Sequence, residues 1–291
     1  MSDEITVIIL LYEENLDTIY NCIKPIKNFK IIIVDNSNDK DRKNKILKEF
    51  KIYKYIMNKK NLGFGKGNNI GIKNCDTKYL LILNADCSIT KETINRLSFA
   101  LNKYADCYMT VPSFLDRNNK PTQNASPFPE YYIENPFIEV EGDMCCQSAL
   151  GAAMFIKTQV MKDLNMFDEN FFLYYEDIDL CKRINEKKKS VIQVYDAKAI
   201  HQHGEGKSVR NVYKKIYLVN LNMTFSELYY FYKINNYYDK FTSLKKKIPK
   251  YLIKLFLNTL FFKLDKSVFY LAKISAFIKF NTFLKKVRKS S

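Results

Sequence analysis

The chain is 291 residues long and 47% hydrophobic, enough for one substantial core with an appendage and too apolar for wholesale disorder. Its formal net charge is +16, but the stretch from Lys240 to Ser291 holds fourteen Lys and Arg against one acid, Asp265, and carries +13 of it. Charge confined to one end argues against a nucleic-acid-binding protein, and seven scattered Cys without paired metal-type spacing exclude a disulfide scaffold or zinc site and suit a reducing compartment.

The first eleven residues carry acids where a secretory leader needs bases, so export by that route is not expected. Thr6–Leu11 is a short apolar run rich in β-branched residues, the pattern of a strand buried on both faces. Asp17–Ile26 reads as a connecting helix and Lys30–Val34 as a second buried strand. Strand, helix, strand at this spacing predicts a right-handed parallel crossover in an α/β domain. Such sheets bind ligands where loops leave the carboxyl ends of strands. Those ends are Tyr12-Glu13-Glu14-Asn15 and Asp35-Asn36-Ser37. Asp35 can hydrogen-bond a nucleotide base or ribose, or cap the next helix through an Asx turn.

Asn61-Leu-Gly-Phe-Gly-Lys-Gly-Asn-Asn-Ile-Gly71 opens a helix with glycines at 63, 65 and 67, and its spacing is not that of a dinucleotide fingerprint. It is either a loop whose amides, with Asn61, Gly63, Lys66 and Asn69, lie against a nucleotide, or an ordinary strand-to-helix turn. Tyr79–Ser88 reads as a third buried strand, extended far enough for Asn84 and Asp86 to project from one face. Two such oxygen ligands can contact a hard cation, Mg2+ or Mn2+, whose remaining ligands are phosphates; a helix cap is the other reading. Residues 113–141, with four Pro, form the longest irregular stretch and are assigned to the acceptor side. Gln147–Ile156 returns to a buried strand.

Asn170-Phe-Phe-Leu-Tyr-Tyr-Glu-Asp-Ile-Asp-Leu180 sets Glu176, Asp177 and Asp179 directly after apolar and aromatic residues. A carboxylate against apolar walls has its pKa raised, which suits a general base; acids in a first helical turn are also ordinary. Glu176 and Asp179 form an i,i+3 pair and Asp177 is rotated away from both, so the three cannot share one task. Val191–Ile200 is a further strand, ending at His201 and His203, the only two histidines. They can ligate a cation, contact diphosphate or simply lie at the surface.

Taken together, Val34-Asp-Asn-Ser37, the glycine loop, Leu83-Asn-Ala-Asp86, Gly151-Ala-Ala-Met-Phe-Ile156, the acidic stretch and His201 resemble glycosyltransferase family 2, particularly its rhamnosyltransferase-like branch, over about residues 4 to 235. The resemblance implies a GT-A fold: a mixed, mainly parallel sheet flanked by helices, here with a helical C-terminal extension. It implies an enzyme that takes a nucleotide-diphosphate sugar, dTDP-rhamnose or a UDP-sugar, and inverts the anomeric centre on a glycan or lipid-linked acceptor in surface polysaccharide synthesis. By position, Asp35 would contact the base, Asp86 would ligate the divalent cation with Asn84 opening that triplet, Asp177 would be the base supported by Glu176, and His201 or His203 the late metal or diphosphate contact, with His201 preferred. Relatives often read Asp-x-Asp or Asn-Pro-Asp where this chain reads Asn84-Ala-Asp86. The neutral Asn84 lowers the charge available to the cation.

Residues 1–239 are read as the catalytic domain and 240–291 as a basic amphipathic extension. Asn211–Asn236, rich in Tyr and Phe, is predicted to form a helix closing over that domain. In the extension, Lys interrupts every apolar run, so no membrane span is predicted. This is the make-up of a helix lying on an anionic membrane surface, which puts the enzyme in the cytoplasm on the inner face; packing on the body or in a homo-oligomer is the alternative. The competing enzymatic class is a sugar nucleotidyltransferase, which would release diphosphate from a nucleoside triphosphate.

Overall fold

The computed structural model describes residues 2–131, 141–202 and 212–290. They divide into two compact units, Met1–Glu169 with Glu176–Ser208, and Asn170–Tyr175 with Val209–Ser291. The first contains β1 Ile5–Leu11, α1 Leu16–Ile23, β2 Lys30–Asp35, α2 Lys40–Glu49, β3 Lys54–Met57, α3 Phe64–Lys73, β4 Tyr79–Asn84, β5 Cys87–Ile89 and α4 Lys91–Lys103. These are followed by β6 Cys107–Leu115, β7 Pro121–Thr122, β8 Ala125–Ser126, β9 Met144–Cys146, β10 Ser148–Ala149, β11 Ala153–Lys157, α5 Thr158–Asp163, α6 Glu176–Glu186 and β12 Ser190–His201.

The strands run β3-β2-β1-β4-β11-β6-β12-β5, with β7 on β6 and β9 on β12. From β3 to β4 every pairing is parallel, β11 is antiparallel to both its neighbours, and β12 is parallel to β6 and antiparallel to β5. This is the mixed, mainly parallel α/β sheet expected from the buried apolar runs. Alternation along β1 divides the core in two. Ile5, Val7, Ile9 and Leu11 pack with Ile19 and Cys22 of α1, Ile46 of α2 and Ile94 of α4. Ile8 faces the other way, toward Ile72 of α3, Met161 of α5, and Leu180 and Ile184 of α6. Helices therefore cover both faces, and each fully buried Ile or Leu contributes about 1.5–3 kcal/mol.

Several expectations are corrected. The helix over Asp17–Ile26 ends at Ile23 and tightens into a 3-10 turn over Lys24–Ile26, where Pro25 supplies no N–H. The strand read over Tyr79–Ser88 stops at Asn84. Ala85 and Asp86 form a turn, and Cys87–Ile89 pairs with β12 across the sheet, so Asn84 and Asp86 are not alternate positions of one extended segment. The irregular stretch from residue 113 begins as the end of β6, and two further short strands, β7 and β8, lie within it.

The second unit contains α7 Val212–Lys233, α8 Tyr237–Leu260 and α9 Leu264–Ser290, which pack on one another. Phe225, Tyr229 and Tyr232 of α7 meet Phe283 of α9 with ring centroids 5.3–6.4 Å apart, nearly edge to face in each case. The segment 170–175 belongs to this unit: Ser226 Oγ donates to Leu173 O at 3.0 Å, Asn170 Nδ2 donates to Tyr229 Oη at 3.0 Å, and Phe171 packs on Tyr229 at 4.8 Å. The charge boundary at 240 falls inside α8.

Candidate active site

The parallel register fixes where the strand-end residues gather. Leu11 is level with Asp35, Leu10 with Asn84 and Asp35 with Met57, so the carboxyl ends of β1, β2, β3 and β4 open on one edge of the sheet. At the end of β2, Asp35 is fully buried. Its Oδ1 accepts from Arg42 Nη2 at 2.7 Å, Ser37 N at 2.8 Å and Ser37 Oγ at 2.7 Å, and its Oδ2 from Tyr55 Oη at 2.6 Å. Burial, then the carboxylate, raises the Tyr55 phenol so that it stays a donor. Arg42 also donates to Tyr12 O at 3.0 Å and Glu14 O at 3.3 Å, tying the β1 loop to the β2 loop. Asp35 thus organises both loops with both oxygens already engaged; Ser37 closes the expected Asx turn on it, but the cap of α2 is Asp39, whose Oδ1 accepts from Arg42 N at 2.9 Å.

The glycine loop is held by side-chain amides. Asn61 Oδ1 accepts from Gly63 N at 2.9 Å and Asn36 Nδ2 at 3.2 Å, while Asn36 Oδ1 accepts from Asn58 Nδ2 at 2.9 Å. Gly63 has φ +86°, a conformation that needs glycine, and it starts α3. Lys66 pairs with Glu169 at 2.9 Å, and Asn69 is spent on the backbone of Phe167, donating to its O at 2.9 Å and accepting from its N at 3.0 Å. Both residues therefore brace the chain that leads to the acidic stretch.

That stretch separates its three acids. Asp179 accepts from Arg183 Nε at 2.9 Å, and Arg183 in turn donates to the carbonyls of Leu164 and Met166, a structural clamp. Asp177 turns the other way. Its Oδ2 accepts from Gly151 N and its Oδ1 from Ile178 N, each at 2.9 Å. Burial raises its pKa and the Gly151 amide pulls it part of the way back. A Cβ at Gly151 would stand 3.3 Å from both Asp177 Cβ and Phe64 Cζ, so the approach relies on glycine. Glu176 is buried beside it, and its Oε2 has no hydrogen-bond partner among the described residues. Burial first, then the charges of Asp177 and Asp179, push its carboxyl well above the ordinary range.

One hydrogen-bonded path links the acids to the β4 end. Gly151 N holds Asp177, and the carbonyl of the next residue, Ala152, accepts from Asn84 N at 2.8 Å. Two residues on is Asp86, whose Oδ1 is 3.5 Å from His201 Nε2, both residues largely buried. The pair meets because β12 aligns His201 with Cys87, and Gln202 N donates to Asp86 O at 3.0 Å. An anionic oxygen and an imidazole nitrogen suit a divalent ion that takes its other ligands from phosphate and water. No cluster of three or more His, Cys, Asp or Glu able to hold a metal occurs among the described residues. His203 lies outside them. Arg42, Tyr55, Asn36 and Gly151 were not assigned site roles from the sequence; Asn36 at its strand end and the Gly151-Ala-Ala run gave a signal, whereas Arg42 lies in a Lys-rich helix whose other buried residue is Ile46.

This arrangement of sheet and strand-end acids is the GT-A fold. A solved structure of GalNAc-T7 with UDP, GalNAc and Mn2+ superposes with a TM-score of 0.58 at 13% identity, over 78% of this chain and 50% of that one. TarS of S. aureus superposes at 0.51 and 15% identity, over 75% of this chain and 39% of that one. The chain thus spans half or less of these two structures. The family model of glycosyl transferase family 2 matches residues 6–157, and the chain belongs to that family. Among its relatives, the low-salt glycan biosynthesis hexosyltransferase Agl10 of Haloferax volcanii is 28% identical over 223 residues, 69% of this chain and 68% of its own. The dTDP-rhamnosyl transferase RfbF of Shigella flexneri is 24% identical over 217 residues, 72% of each.

Proposed function

We infer that the chain transfers a sugar from a nucleotide-diphosphate sugar, with inversion, to a hydroxyl of a glycan or lipid-linked acceptor in surface polysaccharide synthesis. The observation that carries this reading is the path from Asp177 through Gly151 and Ala152 to Asn84 and Asp86, which ties a raised-pKa carboxylate to the cation and diphosphate end of the cleft. The acceptor oxygen attacks the anomeric carbon and gives its proton to Asp177, while the bond from that carbon to the diphosphate oxygen breaks and the nucleoside diphosphate leaves. The Asp177 carboxylate, with about four acceptor sites, is engaged by the backbone amides of Gly151, Ile178 and Asp177 itself, which leaves it room to take the proton without losing those anchors. Glu176 stands beside it, its carboxyl pushed upward by burial and by the charges of Asp177 and Asp179.

Asp86 and His201 would hold a divalent cation, Mn2+ or Mg2+, which when bound neutralises charge on the departing diphosphate. Asn84 stands at the same strand end, and Asn61 with Gly63 shapes the wall against which the nucleotide lies. Asp35 serves the nucleotide by fixing Ser37, Arg42 and Tyr55. The donor favoured by likeness to a dTDP-rhamnosyl transferase is dTDP-rhamnose, with a UDP-sugar next. The acceptor is met at the inner face of the membrane.

Thermal shift with a panel of nucleotide-sugars, with and without Mn2+, tests this directly. A nucleotide-sugar that raises Tm more with the cation, followed by a product of inverted anomeric configuration in NMR, is the expected result. Stabilisation only by nucleoside triphosphates, with inorganic diphosphate released, would favour the nucleotidyltransferase instead.

A further inference from the structure

Helix α8 is 24 residues long and buries none of them. On it Leu252, Ile253, Phe256, Leu257 and Leu260 are all exposed, at the i, i+1, i+4, i+5, i+8 spacing of a single face. The face runs on into Phe261 and Phe262 of the turn and, past Lys263, to Leu264 at the start of α9, all exposed, with Phe262 at 87%. Exposed large apolar residues in the first unit, Leu47, Tyr53, Phe99, Tyr131 and Leu150, are scattered by comparison. A contiguous patch of this kind marks a surface that something covers.

Charge decides what covers it. Lys245, Lys246, Lys247 and Lys250 are exposed below the apolar face, and Lys263 and Lys266 are exposed at its tip, with Asp265 the sole acid. A second copy would bring the same positive charge against itself. An anionic bilayer meets both features, taking the apolar tip among its acyl chains and the lysines among its headgroups, each lysine worth about 1 kcal/mol near such a surface. From Leu252 to Leu260 the helix rises about 12 Å, well short of the roughly 30 Å of a hydrocarbon core, and no helix among the described residues is long and apolar enough to cross a membrane.

We propose that the α8–α9 turn is a membrane-insertion tip, in which Phe256, Leu260, Phe261 and Phe262 enter the outer acyl region of an anionic monolayer and the flanking lysines select it. This deepens the reading of a lipid-linked acceptor by naming the surface that brings enzyme and acceptor together, and it is tested without donor or acceptor, so failure of the transferase reading leaves its outcome readable.

The chain has no Trp, so Phe262→Trp introduces a single indole at the tip. With vesicles of phosphatidylglycerol and phosphatidylcholine, its emission is expected to shift to the blue and to be quenched by acyl-chain-brominated lipid, whereas Tyr53→Trp in the first unit does neither. Phe261→Glu with Phe262→Glu is expected to cut co-sedimentation with those vesicles at least tenfold, and raised salt or pure phosphatidylcholine to weaken binding of the parent chain. Circular dichroism checks that the variants fold; both altered residues are exposed, so folding is expected to survive. Indole emission unchanged by vesicles overturns the proposal. So does a double Glu variant that binds vesicles like the parent, or one that converts a dimer to a monomer in light scattering while vesicle binding stays the same.

Discussion

Asp177 and Glu176 are sequence neighbours whose surroundings send them to different work. Asp177 is ionisable with two amide anchors, and Asp177→Asn should lower transfer by ~10²–10⁴-fold in single-turnover assays while nucleotide-sugar affinity stays near normal. Near-parental turnover would remove Asp177 from the role of base. Glu176 has its folded pKa raised by burial and by its acidic neighbours. The folded state therefore holds that proton longer than the unfolded chain does, so its contribution to stability is complete below about pH 4.3 and is lost as pH rises toward the folded value. Denaturant titrations across that window should show a falling stability that Glu176→Gln flattens; an identical slope in the variant would show that another group sets it. Arg42 is buried against Asp35 with side-chain exposures of 7% and 0%. Arg42→Ala strands that carboxylate and should cost about 3–5 kcal/mol in equilibrium unfolding. The sequence showed the candidate acids through their apolar neighbours and the Ser37 turn through its position, but Arg42 and Tyr55, which complete the shell of Asp35, come from α2 and β3, and nothing local to it foretells them.

At the scale of elements, the sheet was legible where strands are buried on both faces, because Thr6–Leu11 and Lys30–Val34 are apolar runs rich in β-branched residues. β3 escaped notice since Lys54–Met57 is only four residues and half exposed, and β6 because Thr110, Pro112 and Ser113 interrupt its apolar pattern. The division of β4 from β5 was missed for a different reason: Asn84, Asp86 and Ser88 are turn-type residues that were read as a polar strand end, and the short β5 beyond them is defined by its pairing with β12. Helix α3 illustrates how glycine is chosen by a neighbour. A Cβ at Gly71 would come within 2.4 Å of Ile8 Cγ2, a stiff β-branched side chain with no exposure. In an exposed helix Gly→Ala gains up to about 1 kcal/mol. Here Gly71→Ala should instead lose about 1–3 kcal/mol, read from the midpoint of chemical denaturation, as the helix is pushed off the sheet.

For the whole molecule, composition places the excess charge at one end, and packing groups residues 170–175 with the helices that follow residue 208. Residues 170–175 leave the first unit, join α7 through Leu173, Asn170 and Phe171, and return at Glu176. Tyr174 and Tyr175 complete the return with φ of +71° and +68°, conformations that cost about 1–3 kcal/mol each for residues with a side chain. The Tyr175 ring is held by α7, packed 5.5 Å from Tyr230. A chain stopped at residue 208 should therefore lose turnover even on a water-soluble acceptor, where a mere anchor would be dispensable; full activity of the shortened chain would count against this. Residues 170–175 belong by packing to the helical unit yet run straight into Glu176 and Asp177, so a change that loosens α7 is expected to reach the carboxylate proposed as the base along the chain itself.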